Sequence, residues 1–260
     1  MEEEGRKKFG FIKIGEYFIK GIPIGMSNTL PGVSGGTMAL VLGIYDRLIH
    51  GIKNIEIKVL IPILIGAVAG ALSSAKLITF ILENYPELMR AFLLGLIFAS
   101  SGATIKEIKE FNWKIAGLTV AGFAIAYFYS IGVNSAQAMG SISAIKAFFG
   151  GVLGSVAMIL PGISGGTILV MLGLYEGVIH ALSELQISVL LPLGLGVGVG
   201  LLSFSWLLSY LLDNYRSLLM AFLTGLILGS MRSVIPAHIG EISGFVVGFI
   251  IIYLLIRSEE

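Results

Sequence analysis

The chain has no cysteine, few charged residues and three histidines. Charged residues make up 13% of the 260 positions, against about 25% in soluble domains. Without cysteine there can be no disulfide, no catalytic thiolate and no cysteine-based metal site. The three histidines are too scattered along the chain to predict a metal site, and a net charge of +1 gives no sign of nucleic-acid binding. Hydrophobic residues reach 56% and glycine numbers 35, which together predict an integral membrane protein with closely packed helices.

The chain contains two copies of one unit. The segment LPGVSGGTMALVLGIYDRLIH at 30–50 matches LPGISGGTILVMLGLYEGVIH at 160–180. The same offset of 130 residues continues without a gap, and it aligns the Asn-Tyr pairs at 84–85 and 214–215. Because an ungapped register of proline, glycine, asparagine and tyrosine is not explained by shared lipid-facing composition, the sequence predicts an internal duplication.

The duplication divides the chain into four parts. Residues 1–14 form a charged N-terminal lead without the apolar core and cleavage site of a signal peptide. We interpret this lead as cytoplasmic or interfacial, with a frayed tail as the alternative. The first repeat occupies 15–133, a linker 134–145 and the second repeat 146–257.

Each repeat contains three apolar segments that predict membrane spans. They lie at 57–83, 87–103 and 113–133 in the first copy, and at 187–213, 216–231 and 242–256 in the second. The segments beside the PG[VI]SGGT motif have short apolar cores, so we expect a broken, re-entrant helical hairpin there in each copy. Two full, tilted spans per hairpin remain the alternative. The arms lie at 16–30 and 34–49, and at 146–160 and 164–179.

The predicted number of crossings per repeat is odd, so the second copy is expected to be inverted relative to the first. With both termini in the cytoplasm, most lysines and arginines fall on the inner side of the membrane, as the positive-inside rule requires. The outer side then receives Lys76, Arg90, Lys146 and Arg232. The sequence thus predicts an all-α, multi-pass protein of the cytoplasmic (inner) membrane with two inverted-topology repeats.

The two helix breaks are the candidate binding site. Inverted repeats with broken helices are typical of transporters, whose site lies where the half-helix ends point inward. Serine and threonine are good N-caps, glycines admit a ligand to the backbone, and a helix start offers N–H groups that suit a phosphate or a carboxylate. A tight turn that serves only helix packing is the alternative. The predicted phosphate-binding residues are Gly32, Ser34, Gly35, Gly36, Thr37, Gly162, Ser164, Gly165, Gly166 and Thr167.

Charged residues add two further predictions. Arg90 is the first candidate to supply positive charge to a phosphate, with Arg232 also near the outer side, although arginines near helix ends often only reach for the interface. Two repeat-related pairs are candidate proton-coupling groups, because ionisable residues inside a membrane are often functional; an interfacial position is the alternative. The coupling candidates are Asp46, His50, Glu176 and His180.

The motifs resemble those of the polyprenyl-phosphate transporter family, also catalogued as domain of unknown function 368. The likeness covers essentially the whole chain. Members of this family often carry an acidic residue a few positions before the first motif, whereas this chain has uncharged residues at 26–29. The matching residues are Pro31, Gly32, Ser34, Gly35, Gly36, Thr37, Gly43, Tyr45, Pro161, Gly162, Ser164, Gly165, Gly166, Thr167, Gly173 and Tyr175.

The resemblance implies a flippase that returns undecaprenyl phosphate, or a similar lipid phosphate, across the cytoplasmic membrane for lipid-carrier recycling in cell-envelope synthesis. Its partners would be this lipid and other membrane lipids, with no cofactor and no nucleic acid, and a homo-oligomer is left open. The residues alone also allow a transporter or channel for a small soluble anion. A membrane lipid phosphatase is disfavoured, because no nucleophile, base and charge clamp occur together.

Overall fold

The computed structural model describes residues 2–30, 33–129, 143–236 and 242–259, with side chains from Lys13 onward except those of Glu176 and Ser183. All regular elements in these ranges are helical. The α-helices are α1 (Glu2–Asn28), α2 (Gly35–Val41), α3 (Tyr45–Lys53), α4 (Ile57–Asn84), α5 (Pro86–Ile105), α6 (Trp113–Tyr129), α7 (Ala144–Ile159), α8 (Gly165–Met171), α9 (Tyr175–Ser183), α10 (Ile187–Asn214), α11 (Arg216–Ser230) and α12 (Ile242–Ser258). A 3₁₀ turn, Met231–Val234, follows α11.

Four helices among the described residues are long and apolar enough to cross a membrane: α4, α5, α10, and α11 together with its 3₁₀ turn. The expected third spans, 113–133 and 242–256, correspond to α6 and α12, which have 17 residues each. At about 1.5 Å per residue, such helices are about 26 Å long, slightly less than the hydrocarbon core. The described residues therefore form an all-helical membrane protein with four clear candidate spans and three shorter apolar helices, α6, α7 and α12.

The duplication in the sequence is also a duplication of backbone conformation. Helices α2, α3 and α4 begin and end 130 residues before α8, α9 and α10. Gly43 and Gly173 share a left-handed conformation, with φ of +64° and +66°. Ile55 and Leu185 share it too, with φ of 52° and 49°, although branched side chains rarely adopt it.

Two boundaries differ from those expected. The lead and the first arm form one continuous helix, α1, which contains Pro23. Each returning arm is divided into two short helices, because Gly43 and Gly173 adopt the left-handed conformation that ends an α-helix and that glycine accepts without steric cost. Most of the expected linker, 134–142, lies outside the described residues.

The two repeats are interlocked by their last helices. Within each repeat, α1 packs along α4 and α7 along α10. The last helices are exchanged: α6 packs along α11 of the second repeat, and α12 packs along α5 of the first. A Cβ atom at Gly95 would lie 2.1 Å from the carbonyl oxygen of Phe245, and one at Gly225 would lie 2.1 Å from that of Thr119. Only glycine permits this closeness between backbones, so the exchange depends on these positions.

Candidate functional site

The two helix breaks are in direct contact. The backbone N–H of Gly162 in the second break donates to Ser34 Oγ at 3.2 Å and to Thr37 Oγ1 at 3.0 Å in the first. Ser34 Oγ donates to the carbonyl oxygen of Leu160 at 3.3 Å. Gly162 has a φ of +80°, a conformation that favours glycine. The hydroxyls of the first break therefore hold the second break in position.

The first break is buried and closely packed. Ser34 Oγ caps α2 by accepting the N–H of Thr37 at 3.2 Å, and Asn28 Oδ1 accepts the N–H of Gly35 at 3.0 Å. A Cβ atom at Gly36 would lie 2.4 Å from the carbonyl oxygen of Ile159. In this conformation these residues mainly join the repeats, since the N–H groups of Gly35 and Thr37 already have acceptors.

The second break is more open. Ser164, Gly165, Gly166 and Thr167 are half-buried, and the Ser164 side chain makes no capping hydrogen bond to α8. A Cβ atom at Gly166 would meet its nearest neighbours at 3.8 Å and 3.9 Å, which is ordinary contact. Gly165 differs, because a Cβ atom there would lie 2.5 Å from the carbonyl oxygen of Gly154. Gly166 thus has room for a Cβ atom, whereas Gly165 is needed for packing against α7.

A polar cavity of about 490 Å³ lies between the two breaks. Tyr129 also lies on its wall, and its hydroxyl donates to the carbonyl oxygen of Ser164 at 3.0 Å. Among the described residues that line the cavity none is charged, so an anion bound there would be held by hydroxyl and amide donors. The polar side chains on its wall are those of Asn28, Thr29, Ser34, Tyr129, Ser164, Thr167, Ser230 and Ser233.

A second cavity, of about 360 Å³, adjoins the first and is mainly apolar. It lies between α7, α8 and α10, and the two cavities share wall residues that include Asn28, Ser34 and Ser164. Glycines of α7 form one side of it. Leu193, Val197 and Leu201 of α10 form another. The site therefore combines a polar chamber at the breaks with an apolar extension between helices.

The candidate arginines occupy different surroundings. Arg90 is exposed, forms an ion pair with Glu87 at 3.1 Å, and is not among the described residues that line either cavity. Arg232 lies in the 3₁₀ turn between the cavity residues Ser230 and Ser233, with its guanidinium carbon 4.3 Å from the centre of the Tyr127 ring. Arg232 is therefore closer along the chain to the polar cavity than Arg90 is.

The coupling candidates of the first repeat lie where α3 meets α10 and α11. His50 Nε2 is 3.3 Å from Asp213 Oδ1, and Asp46 pairs with Arg216. Arg216 also donates to Glu107 at 2.9 Å; this hydrogen bond lowers the pKa of Glu107 in the loop after α5, against the opposing effect of partial burial.

The contacts of the coupling candidates in the second repeat, Glu176 and His180, are less fully described. On α9, His180 Nδ1 lies 3.4 Å from Gln186 Nε2. The Glu176 side chain and Gly32 lie outside the described residues. Neither His50 nor Asp46 is among the described residues that line the cavities, and a coupling role for the four candidates stays a prediction.

Five polar residues on the cavity wall were not predicted from the sequence as site residues: Asn28, Thr29, Tyr129, Ser230 and Ser233. The sequence offered a weak signal for Asn28, which lies three positions before the first motif, where its repeat partner is Met158. Tyr129 is the last residue of α6, and its hydroxyl reaches the second break. Its position depends on the exchange of α6 onto α11, which no local pattern reveals.

Paired helix breaks whose ends meet inside a helical membrane protein are the arrangement in which transporters hold their substrates. The fold and the site together therefore define a membrane transport protein. The comparison with known sequences is more specific: the chain belongs to the undecaprenyl phosphate translocase-like family, whose sequence profile matches residues 24–243. The family resemblance expected from the sequence motifs is thereby confirmed.

Two curated relatives are both named polyprenyl-phosphate transporter. The protein from Vibrio cholerae serotype O1 is 34% identical over 244 residues, which cover 84% of this chain and 77% of the relative. The protein from Staphylococcus aureus is 31% identical over 265 residues, which cover 90% of this chain and 93% of the relative. No solved structure matches the chain.

Proposed function

We propose that the protein is a flippase that moves a polyprenyl phosphate, such as undecaprenyl phosphate, across the cytoplasmic membrane for reuse in cell-envelope synthesis. The observation that carries the proposal is the cavity at the two breaks, with hydroxyl and amide side chains on its wall, beside a mainly apolar cavity with which it shares wall residues. This pairing suits a ligand with a phosphate head and a hydrocarbon tail. Membership of the translocase-like family and the names of both relatives support the same substrate class.

The phosphate head group would bind in the polar cavity. Ser164 and Thr167 lie on its wall from the second break, and Ser34 lies on its wall from the first break. Gly165 and Gly166 line the adjoining, mainly apolar cavity. Because α8 has only seven residues, individual hydrogen-bond donors would matter more than a helix dipole. From the first break, Gly36 and Thr37 would hold the second break in position and Gly35 would hold the Asn28 side chain, and Gly32 is proposed from its place in the motif alone.

Positive charge would come from Arg232 in addition to, or in place of, Arg90. Arg232 is flanked by two cavity residues, Ser230 and Ser233, whereas Arg90 pairs with Glu87 on the protein surface. A cation at the cavity rim would offset part of the cost of moving a phosphate out of water.

The polyprenyl tail would lie in the apolar cavity and continue into the bilayer. Burying the whole tail in protein gains little, because lipid is as apolar as the helix surfaces. A small soluble anion would need the polar cavity but not the apolar one, so the presence of a mainly apolar cavity beside the polar one favours a lipid substrate.

A binding comparison tests the proposed substrate. Purified protein in detergent should bind undecaprenyl phosphate more tightly than inorganic phosphate or a neutral polyprenol. Arg232→Ala should weaken this binding, and the same substitution at Arg90 shows whether Arg90 contributes as well. Equal affinity for inorganic phosphate and the lipid would instead favour the transporter of a small soluble anion.

We also propose that the two repeats have inverted topology, with both termini in the cytoplasm and with re-entrant hairpins. Helices α2, α3, α8 and α9 have seven or nine residues, at most about 14 Å, which is too short to cross the bilayer. The distribution of lysine and arginine supports this orientation.

The cysteine-free chain allows a direct test of the topology with two repeat-related turn residues, Asn54 and Glu184. In intact cells, a membrane-impermeant maleimide should label Glu184→Cys, and it should label Asn54→Cys only after the cells are permeabilised. Labelling of both positions from one side would contradict the inversion.

A further inference from the structure

The two hairpins have similar sequences but differ in how deeply their side chains are buried. In the first repeat, Tyr45 is 2% exposed and Ile49 is fully buried. Their repeat partners in the second, Tyr175 and Ile179, are 43% and 48% exposed. Six of the seven residues of α2 are buried, whereas none of those of α8 is. Because the residue types match, composition does not explain the difference. Helix α3 packs against α4 of its own repeat and against α10 of the other repeat, whereas the main helix contacts of α9 are with α8 and α10 of its own repeat.

The buried hairpin is held by a defined set of contacts. Helix α3 packs against the end of α10, where Lys53 Nζ donates to Ser209 Oγ at 2.9 Å and His50 Nε2 lies 3.3 Å from Asp213 Oδ1. Arg216 at the start of α11 pairs with Asp46. We call this set of contacts the α3 gate. By the repeat, the matching surface for α9 is the end of α4, yet α9 makes no comparable contact with α4 among the described residues.

The second repeat has a histidine and a carboxylate at the positions equivalent to His50 and Asp213. The repeat partner of His50 is His180, and the partner of Asp213 is Glu83. A histidine on the hairpin and a carboxylate on the facing long helix therefore occur in both halves. The Asp46–Arg216 pair is not duplicated in this way, because Pro86 stands at the position equivalent to Arg216.

The polar cavity lies on the side of the protein where α9, the exposed helix of the second hairpin, is located. Its wall includes Leu82 near the end of α4 and Ser230 at the end of α11. The α3 gate uses the opposite end of α11, at Arg216. The cavity is therefore closed on the side of α3 and lies toward the side of α9. With the termini in the cytoplasm, this side faces outward, where a phosphate head group would be collected.

We infer that the structure is one of two states related by the internal repeat, and that in the other state α9 packs on the end of α4 with His180 beside Glu83. The α3 gate opens when this α9 gate closes, so that the cavity turns to the inner side. Both gates would contain a histidine–carboxylate pair, whereas the Asp46–Arg216 pair belongs to the α3 gate alone. Substrate binding would shift the populations of the two states. This inference rests on the proposed function and adds the residues that would control access.

The absence of native cysteine makes cross-linking the natural test. One double variant carries His50→Cys and Asp213→Cys across the α3 gate, and a second carries His180→Cys and Glu83→Cys across the α9 gate. A short bifunctional maleimide should join either pair in membranes. The control pair, His50→Cys with Glu83→Cys, should not react because its members lie on opposite sides. The absence of a cross-link between positions 180 and 83 would overturn the inference.

Spin labels at the same positions give a second measurement that does not require transport. Adding undecaprenyl phosphate should change the population of short distances across both gates, in opposite directions. Independent or absent shifts across the two gates would contradict the exchange. If the distances exchange but undecaprenyl phosphate is not carried, the two-state inference stands and the proposed substrate fails.

Discussion

At the scale of single residues, one motif is used in two ways. Ser34 caps α2, accepts the N–H of Gly162 and is buried. Its repeat partner Ser164 makes no capping hydrogen bond and lies half-buried on the cavity wall. The same residue type therefore serves the contact between repeats in one copy and faces the proposed ligand in the other.

This division predicts opposite results for two alanine substitutions. Ser34→Ala should lower the stability by about 1–2 kcal/mol, because it removes a helix cap and leaves the Gly162 N–H with one acceptor fewer. Ser164→Ala should keep the stability and weaken lipid-phosphate binding by roughly tenfold, the value of one hydrogen bond to an anion. Thermal unfolding and binding in detergent measure both quantities. The division of roles would be refuted if Ser164→Ala reduced stability while leaving binding intact.

The sequence was sufficient to find the motif residues, because glycine, serine and threonine in a helix break can be recognised from the neighbouring residues alone. It was insufficient to tell the two copies apart, since their difference depends on which hairpin is packed. Asn28 and Tyr129 reach the cavity through tertiary packing, and no spacing in the chain marks them as neighbours of Ser164.

At the scale of elements, the repeat offset predicted the bounds of most helices, because apolar length and helix breaks are local properties. The division of each returning arm at Gly43 and Gly173 needed the backbone conformation. The exchange of α6 and α12 between the repeats was not predicted, because it is a contact between distant segments. The exchange matters for the site, since it brings α6 and its Tyr129 to the second break.

Helix α10 offers a matched test of glycine packing. A Cβ atom at Gly196 would lie 2.0 Å from the carbonyl oxygen of Phe148 in α7, whereas one at Gly198 would meet nothing within 4 Å. Gly196→Ala should therefore destabilise the protein by about 1–3 kcal/mol, because α7 and α10 must separate. Gly198→Ala should be neutral or stabilising by up to about 1 kcal/mol, since alanine favours helix. Thermal unfolding of both variants decides the matter, and equal melting temperatures would refute the packing argument.

At the scale of the whole molecule, the protein is duplicated, and the returning hairpin arm is buried in the first repeat and exposed in the second. For a phosphate lipid, crossing the membrane has an electrical cost. With a negative interior, the membrane potential opposes inward movement of an anion by about 2.3 kcal/mol per charge per 100 mV. Net retrieval therefore requires a co-transported cation, protonation of the phosphate, or consumption of the lipid inside.

The most direct measurement is protein-dependent transport in reconstituted liposomes with a defined membrane potential and pH gradient. The account predicts that undecaprenyl phosphate crosses in the presence of the protein, that inorganic phosphate and neutral polyprenol do not, and that the rate of lipid transport depends on the potential or the pH gradient. Transport of inorganic phosphate without transport of the lipid would contradict the central claim. Lipid transport indifferent to both gradients would remove ion coupling and leave the substrate assignment intact.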